Sequence, residues 1–142
     1  MCKLRADKIS GIANDIPLAE VYGATTGRVL VVSWGGTYGS VATAVEALQK
    51  SGHPVAGVHL RYLNPFPKNL KEILSRFETI IVPELNLGQL SFLLRARFLV
   101  DAKSISKVQG KPFQVRELID GIKRIANLQE NELWQKQRQA RP

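Results

Sequence analysis

Glu84, Asn86 and Gln89 stand close together in the stretch PELNLGQL, directly after the apolar run TIIV. A carboxylate at the carboxyl end of a buried strand, just before a helix opens, sits where open α/β sheets gather their ligand or interface chemistry. Two roles are open to Glu84. Either it accepts amide hydrogens at the start of the next helix, where the dipole favours negative charge, or it contacts a partner subunit. Asn86 followed by Gln89 has the spacing of a capping box, with Leu85 and Leu90 at the positions of a hydrophobic staple. Glu84, Asn86 and Gln89 are therefore candidate interface residues.

A second constellation is SWGGTYGS, which ends a strong strand and opens a helix. The amides of Gly36, Thr37, Tyr38 and Gly39 at such a helix start form a candidate anion-binding loop. Close packing of the turn accounts for the glycines without any ligand. The stretch is not a dinucleotide fingerprint, because Trp34 fills the first glycine slot. No Asp or Glu lies between Glu46 and Glu72 to hold an adenine ribose, and Arg61 stands at the end of the second strand instead. These features argue against NAD and leave a small nucleotide- or phosphate-binding module as the alternative function.

The loop RYLNPFP follows that second strand, and its two prolines stiffen it. Arg61 and Asn64 are its candidate interface residues. His53, in the turn SGHP, reads as exposed and idle, and His59, within a strand, reads as a packed histidine. No His, Cys, Asp or Glu cluster has metal-ligand spacing, and no nucleophile elbow of the G-x-S-x-G type occurs. No residue is assigned a catalytic, cofactor-binding or metal-binding role.

These candidates need a sheet to hold them. From Arg28 onward, short apolar runs (RVLVVSW, PVAGVHL, TIIVPE, FLVDAKSIS) alternate with amphipathic stretches (SVATAVEALQKSG, NLKEILSRF, NLGQLSFLLRAR, VRELIDGIKRIANL). Continuous Val, Ile and Leu runs with helices between them mark a parallel sheet buried on both faces. The expected architecture is a three-layer α/β/α sandwich. Asn69 with Glu72 repeats the capping spacing, and Leu70, Ile73, Leu74 and Phe77 share one face of the helix it opens. Val115, Leu118, Ile119, Ile122 and Ile125 recur at helical spacing in the last helix. The domain is expected over 17–128. An amino-terminal linker segment over 1–16, with Cys2 in its frayed end, precedes it, and a polar tail over 129–142 carrying Trp134 follows.

Composition narrows the function classes. A net charge of +8, from 20 Lys and Arg against 12 Asp and Glu, invites a nucleic-acid reading. The basic residues are scattered and lack interleaved aromatics, so a solvated or partner-facing basic surface is expected, with no nucleic acid. Cys2 is the only cysteine, which excludes an internal disulfide and points to a reducing compartment. The start MCKLRADKISGIAND lacks the apolar core of a secretory signal, and no run approaches the ~20 apolar residues of a membrane span. A cytoplasmic location without membrane attachment is the expectation.

The stretches VVSWGGTYGSVATAVEAL, HLRYLNPFP, VPELNLGQL and RARFLVDAKSISKVQGKPF, with the helix that follows, resemble the carboxyl-terminal domain of the alpha subunit of 2-oxoacid:ferredoxin oxidoreductases, most closely the 2-oxoglutarate type. The likeness runs from about Asp15 through Ile125. It implies a fold like the carboxyl-terminal domain of transketolase, a mostly parallel five-stranded sheet with one antiparallel strand, which AEVYG would supply. It also implies a holoenzyme that decarboxylates a 2-oxoacid on thiamine diphosphate with Mg, forms an acyl-coenzyme A, and sends electrons through an iron-sulfur cluster to ferredoxin. The family's thiamine-binding GDG motif lies in the beta subunit. The nearest string here, IDG with Asp120 and Gly121, falls within a helix, and Cys2 stands alone. The expected role is a structural and subunit-assembly domain, with none of these cofactors in this chain and no turnover by it alone. Its implied partners are the rest of the alpha subunit, the thiamine-binding beta subunit and, through the holoenzyme, ferredoxin, with a homodimer as a further state open to the isolated chain.

Overall fold

Successive strand residues point to opposite sides of a sheet, so the run VLVV in the second strand feeds two cores. Leu30 and Val32 enter one and Val29 and Val31 the other, all fully buried. The computed structural model describes residues 2–128. Their elements are α1 (Cys2–Ile12), β1 (Val21–Tyr22), β2 (Gly27–Trp34), α2 (Tyr38–Lys50), β3 (Val55–Leu60), α3 (Leu70–Ser75), β4 (Phe77–Glu84), α4 (Gln89–Phe98), β5 (Ala102–Ser106) and α5 (Val115–Ala126), with a short 3-10 turn at Gly35–Thr37. The expected polar tail, with Trp134, lies outside the described residues.

The sheet order is β1-β3-β2-β4-β5. The four strands β2 to β5 run parallel, and β1 pairs antiparallel with β3 through Val21 opposite Val58. The sandwich and its antiparallel strand within AEVYG are as expected. Leu70, Ile73 and Leu74 of α3 and Leu90 and Leu94 of α4 cover one face, and Val41, Val45 and Leu48 of α2 with Leu118 and Ile122 of α5 cover the other. Removing such side chains from water at ~25 cal/mol per Å² is the main force holding the three layers together.

Three expectations are corrected. Phe77 does not extend the apolar face of α3, because the helix ends at Ser75 and Phe77 is the first residue of β4. Asn69 makes no cap hydrogen bond to α3. Its side-chain amide instead pairs with the backbone of Ala19, donating to the carbonyl at 2.8 Å and accepting from the N–H at 2.9 Å. A contact fifty positions away in sequence satisfies this side chain better than its own helix does. Cys2, expected in a fray, is the exposed first residue of α1, a helix without a buried residue.

Gly121 of the IDG string has a packing reason. A Cβ there would lie 2.9 Å from Ile105 Cδ1, so its absence lets α5 close onto β5.

Candidate functional site at the carboxyl edge of the sheet

Strands β2, β3 and β4 end at the same edge, and the sequence-predicted site residues fall on three loops there. The β4–α4 corner is built around Glu84, the last residue of its strand and 1% exposed. Its Oε1 accepts the Leu90 amide hydrogen at 2.5 Å, and its Oε2 accepts the Ser91 N–H at 3.2 Å and the Ser91 hydroxyl at 2.7 Å. Asn86 Oδ1 accepts from the amides of Gly88 at 2.9 Å and Gln89 at 3.0 Å. Two side chains thus take up the amides at the start of α4 that have no partner within the helix. The buried carboxylate is held by these hydrogen bonds and by the positive end of the helix dipole.

Glu84 is therefore corrected as a candidate interface residue. Its oxygens are occupied from within the domain, and it has almost no surface to offer a partner. The capping box between Asn86 and Gln89 is also corrected. Gly88, with φ of 91°, is the residue at the cap, and Glu84 acts across the turn from the strand. Gln89 is exposed. Leu90 enters the core, but Leu85 stays 42% exposed. Ser91 completes the carboxylate's shell, and sequence reasoning missed it. Its only signal is a hydroxyl in the first turn of the helix, set among the apolar residues Leu90, Phe92, Leu93 and Leu94.

The β2–α2 corner is arranged differently. Neither the turn at Gly35–Thr37 nor α2 has a side-chain cap. Thr37 is buried, with its hydroxyl donating to the Trp34 carbonyl at 2.9 Å, whereas Tyr38 is half exposed. Gly35 has φ of 63°, which favours glycine. Cβ atoms built on Gly36 and Gly39 would meet nothing within 4 Å, so close packing is not what these two glycines serve.

Beside this turn lies a cluster that periodicity did not reveal. Ser33 and His59 are register partners on β2 and β3, and Ser33 Oγ lies 2.9 Å from His59 Nδ1. The His59 ring packs on Tyr38 with centroids 4.8 Å apart, and Tyr38 meets Tyr22 edge-on at 6.4 Å. The Tyr22 ring covers Gly57 so closely that a Cβ there would lie 2.2 Å from it. Burial and then the proximity of Tyr38 push the Tyr22 hydroxyl up to about 12 against an opposing pull from the Ser33 hydroxyl, which lies outside hydrogen-bonding geometry, so the Tyr22 hydroxyl has no hydrogen-bond partner among the described residues. Burial and then the positive charge of Arg61 lower the pKa of His59.

Arg61 and Asn64 are exposed on the third loop, while Leu63 and Phe66 anchor it to the core. His53 is corrected from exposed to buried, and burial and then Lys123 lower its pKa. Among the described residues, no three His, Cys, Asp or Glu side chains come together in a way that could hold a metal ion, and no helix is long and apolar enough to cross a membrane. With Cys2 exposed on α1, these donors do not fit an iron-sulfur cluster or a thiamine diphosphate–Mg site.

Comparison with known proteins adds four likenesses. The family model of pyruvate:ferredoxin oxidoreductase core domain II matches residues 27–123, from β2 into α5. The chain is 44% identical over 119 residues to the 2-oxoglutarate oxidoreductase subunit KorA of Mycobacterium tuberculosis, covering 83% of this chain and 18% of that protein. It superposes with a TM-score of 0.77 and 26% identity on 2-oxoglutarate:ferredoxin oxidoreductase from Magnetococcus marinus, solved with 2-oxoglutarate, coenzyme A and succinyl-CoA bound, covering 82% of this chain and 21% of that one. Transketolase from Campylobacter jejuni shares the fold, at a TM-score of 0.54 and 16% identity over 73% of this chain and 18% of that one. The chain thus spans about a fifth of the length of these proteins.

Proposed function

Because the chain belongs to the pyruvate:ferredoxin oxidoreductase core domain II family, we propose that it is the structural and subunit-assembly domain of an alpha subunit of a 2-oxoacid:ferredoxin oxidoreductase, with 2-oxoglutarate as the 2-oxoacid. The observation that carries this reading is the family match across 27–123, which takes in four of the five strands and so includes both strand-to-helix corners. The 44% identity to a 2-oxoglutarate oxidoreductase subunit supports the choice of substrate. Under this reading the holoenzyme converts the 2-oxoacid to an acyl-coenzyme A. Thiamine diphosphate, Mg and the iron-sulfur cluster that would supply this chemistry are held by other parts of the assembly.

What this chain contributes is a rigid frame. Glu84, Asn86 and Ser91 fix the start of α4, and the partly anchored loop at 61–67 holds Arg61 and Asn64 outward. Its partners are the rest of the alpha subunit and the thiamine-binding beta subunit, with ferredoxin reached through the assembly in the cytoplasm. We assign 17–128 to the domain and 1–16 to a connecting segment, a division supported by the absence of buried residues in α1.

The purified chain alone is expected to show no turnover of 2-oxoglutarate with coenzyme A and an electron acceptor. A chimaeric KorA carrying this chain in place of its matched segment, together with the rest of the enzyme, is expected to turn over. Turnover by the isolated chain would overturn the reading.

A second reading, a phosphate-binding module, is favoured by one observation. The β2–α2 turn is open at Gly36 and Gly39, begins a 13-residue helix, and lies beside Arg61, whose charge reaches His59. Calorimetry with NADP, NAD, ATP and coenzyme A tests it. Binding that weakens in both Gly36→Val and Arg61→Ala supports a site there, and no heat with any of the four removes it.

A further inference from the structure

An amphipathic helix on the surface of a finished domain turns polar residues outward. Helix α5 does so. Leu118 and Ile122 are buried, while Arg116, Glu117, Asp120 and Arg124 face solvent. Helix α3 shows Lys71, Glu72 and Ser75 on its outer side. Helix α4 breaks the pattern. Its inner side buries Leu90, Ser91 and Leu94, yet Phe92 at 70%, Leu93 at 44%, Ala96 and, at the C-cap, Leu99 at 90% recur outside at the three- and four-residue spacing of a second apolar stripe. Leu87, 89% exposed, extends this stripe onto the preceding turn. Between the turn and the helix lies a shallow concavity of about 550 Å³, lined by Leu87, Gly88, Gln89, Phe92 and Leu93. The helix thus has two apolar sides and only one core.

We propose that the outer face of α4, with Leu87, is a docking surface for the remainder of the alpha subunit, which packs an apolar surface onto it. This rests on the reading of the chain as an alpha-subunit domain and names where that domain is gripped. Three observations select this occupant. The similar proteins are about five times longer than the part this chain matches, so most of each lies outside the fold described here. The stripe is continuous with the Glu84–Asn86 corner, whose hydrogen bonds fix the angle at which Leu87 and Phe92 are presented, as an interface that must meet a fixed neighbour requires. Arg97 is exposed on the last turn of the same helix, beside Arg95, whose Nε donates to the Ala102 carbonyl, so the covering surface carries an acidic residue opposite Arg97. The polar groups of the corner are already satisfied, and the surface therefore offers apolar area and takes no charged ligand at its centre.

Hydroxyl-radical footprinting reads side-chain coverage directly. The isolated chain and the chimaeric KorA carrying it are labelled side by side at low concentration. Leu87, Phe92 and Leu99 should be labelled strongly in the isolated chain and protected several-fold in the chimaera. Equal labelling in both overturns the proposal. So does protection in the isolated chain that disappears on dilution, since a second copy would then be the occupant. The double variant Phe92→Glu, Leu93→Glu changes exposed positions only, so the isolated chain should keep its denaturant midpoint. The same change should cost the chimaera about thirtyfold or more in assembly, the equivalent of one desolvated hot-spot contact. Unimpaired assembly of the variant overturns the proposal. A chimaera that turns over 2-oxoglutarate with Phe92 still labelled defeats the docking surface and leaves the family activity standing. One with Phe92 protected and no turnover does the reverse.

Discussion

Two strand-to-helix corners lie on the same edge of the sheet and solve the same problem in opposite ways. At β4–α4, Glu84 and Asn86 accept hydrogen bonds from the amides of Gly88 through Ser91, and the exposed side chains are Gln89 and the apolar Leu85 and Leu87. At β2–α2, no side chain caps the helix, two glycines face open space, and the Tyr22 hydroxyl is buried without a partner. A helix start needs acceptors for its amides. Where the chain supplies them, the corner is rigid and closed to polar ligands; where it does not, the first amides have no side-chain acceptor. The difference separates a surface suited to fixed apolar packing from one suited to polar contact.

The sharpest way to break this contrast is Glu84→Ala. It should leave the Leu90 and Ser91 amides and the Ser91 hydroxyl unpaired in a buried site and cost roughly 2–4 kcal/mol in a denaturant melt. A loss below about 1 kcal/mol would mean that water replaces the carboxylate and that the corner is not closed. Asn86→Ala comes next. It removes the acceptor for Gly88 and Gln89 at a more accessible position and should cost about 0.5–2 kcal/mol.

At the open corner the signs change. Gly39→Ala adds a methyl group to open space in the first turn of α2 and should stabilise the chain by about 0.4–1 kcal/mol through the unfolded state. A measured loss would show that the free chain already fills that space. Tyr22→Phe deletes a hydroxyl that has no partner and should change the midpoint by less than about 0.5 kcal/mol in either direction.

The smallest effect is a pH dependence. The folded state lowers the pKa of His59 and of His53, so below about 6.5 the unfolded chain binds more protons than the folded one. Stability from these groups is present above that value and is lost as pH falls through the lowered folded values. His59→Gln should flatten part of the slope measured between neutral pH and the onset of carboxylate titration. An unchanged slope would assign all of it to His53 and leave the open corner without a titrating group.

The layers were legible in the sequence because they depend on local periodicity, whereas the antiparallel first strand came only from the resemblance to the family. Within RVLVVSW and TIIVPE, the stretches VLVV and IIVP are apolar on every residue, as strands buried on both faces must be. Capping was legible as a need but not as an assignment. Asn69 has the residue type and spacing of a cap, yet its amide pairs with Ala19, and Glu84, read as a partner contact, acts as an internal acceptor. His53 looked exposed in a turn of small residues and is buried. In each case a polar side chain had several acceptable partners, and proximity in three dimensions chose among them.

Sequence alone marked the strands β2 to β5 and the helices α2 to α5, though not α1 or the boundary at Phe77, and it placed the chemistry-bearing residues at strand ends, because backbone geometry and burial impose periods of two and about 3.6 on any chain that folds this way. The strand order β1-β3-β2-β4-β5, the pairing of Ser33 with His59, the closure of Glu84 onto Leu90 and Ser91, and the second apolar face of α4 were decided only in the tertiary structure. The physical reason is that hydrogen bonds and burial are properties of pairs and surroundings. A residue's type fixes what it can bond to or cover, and only the packed chain fixes which neighbour is there.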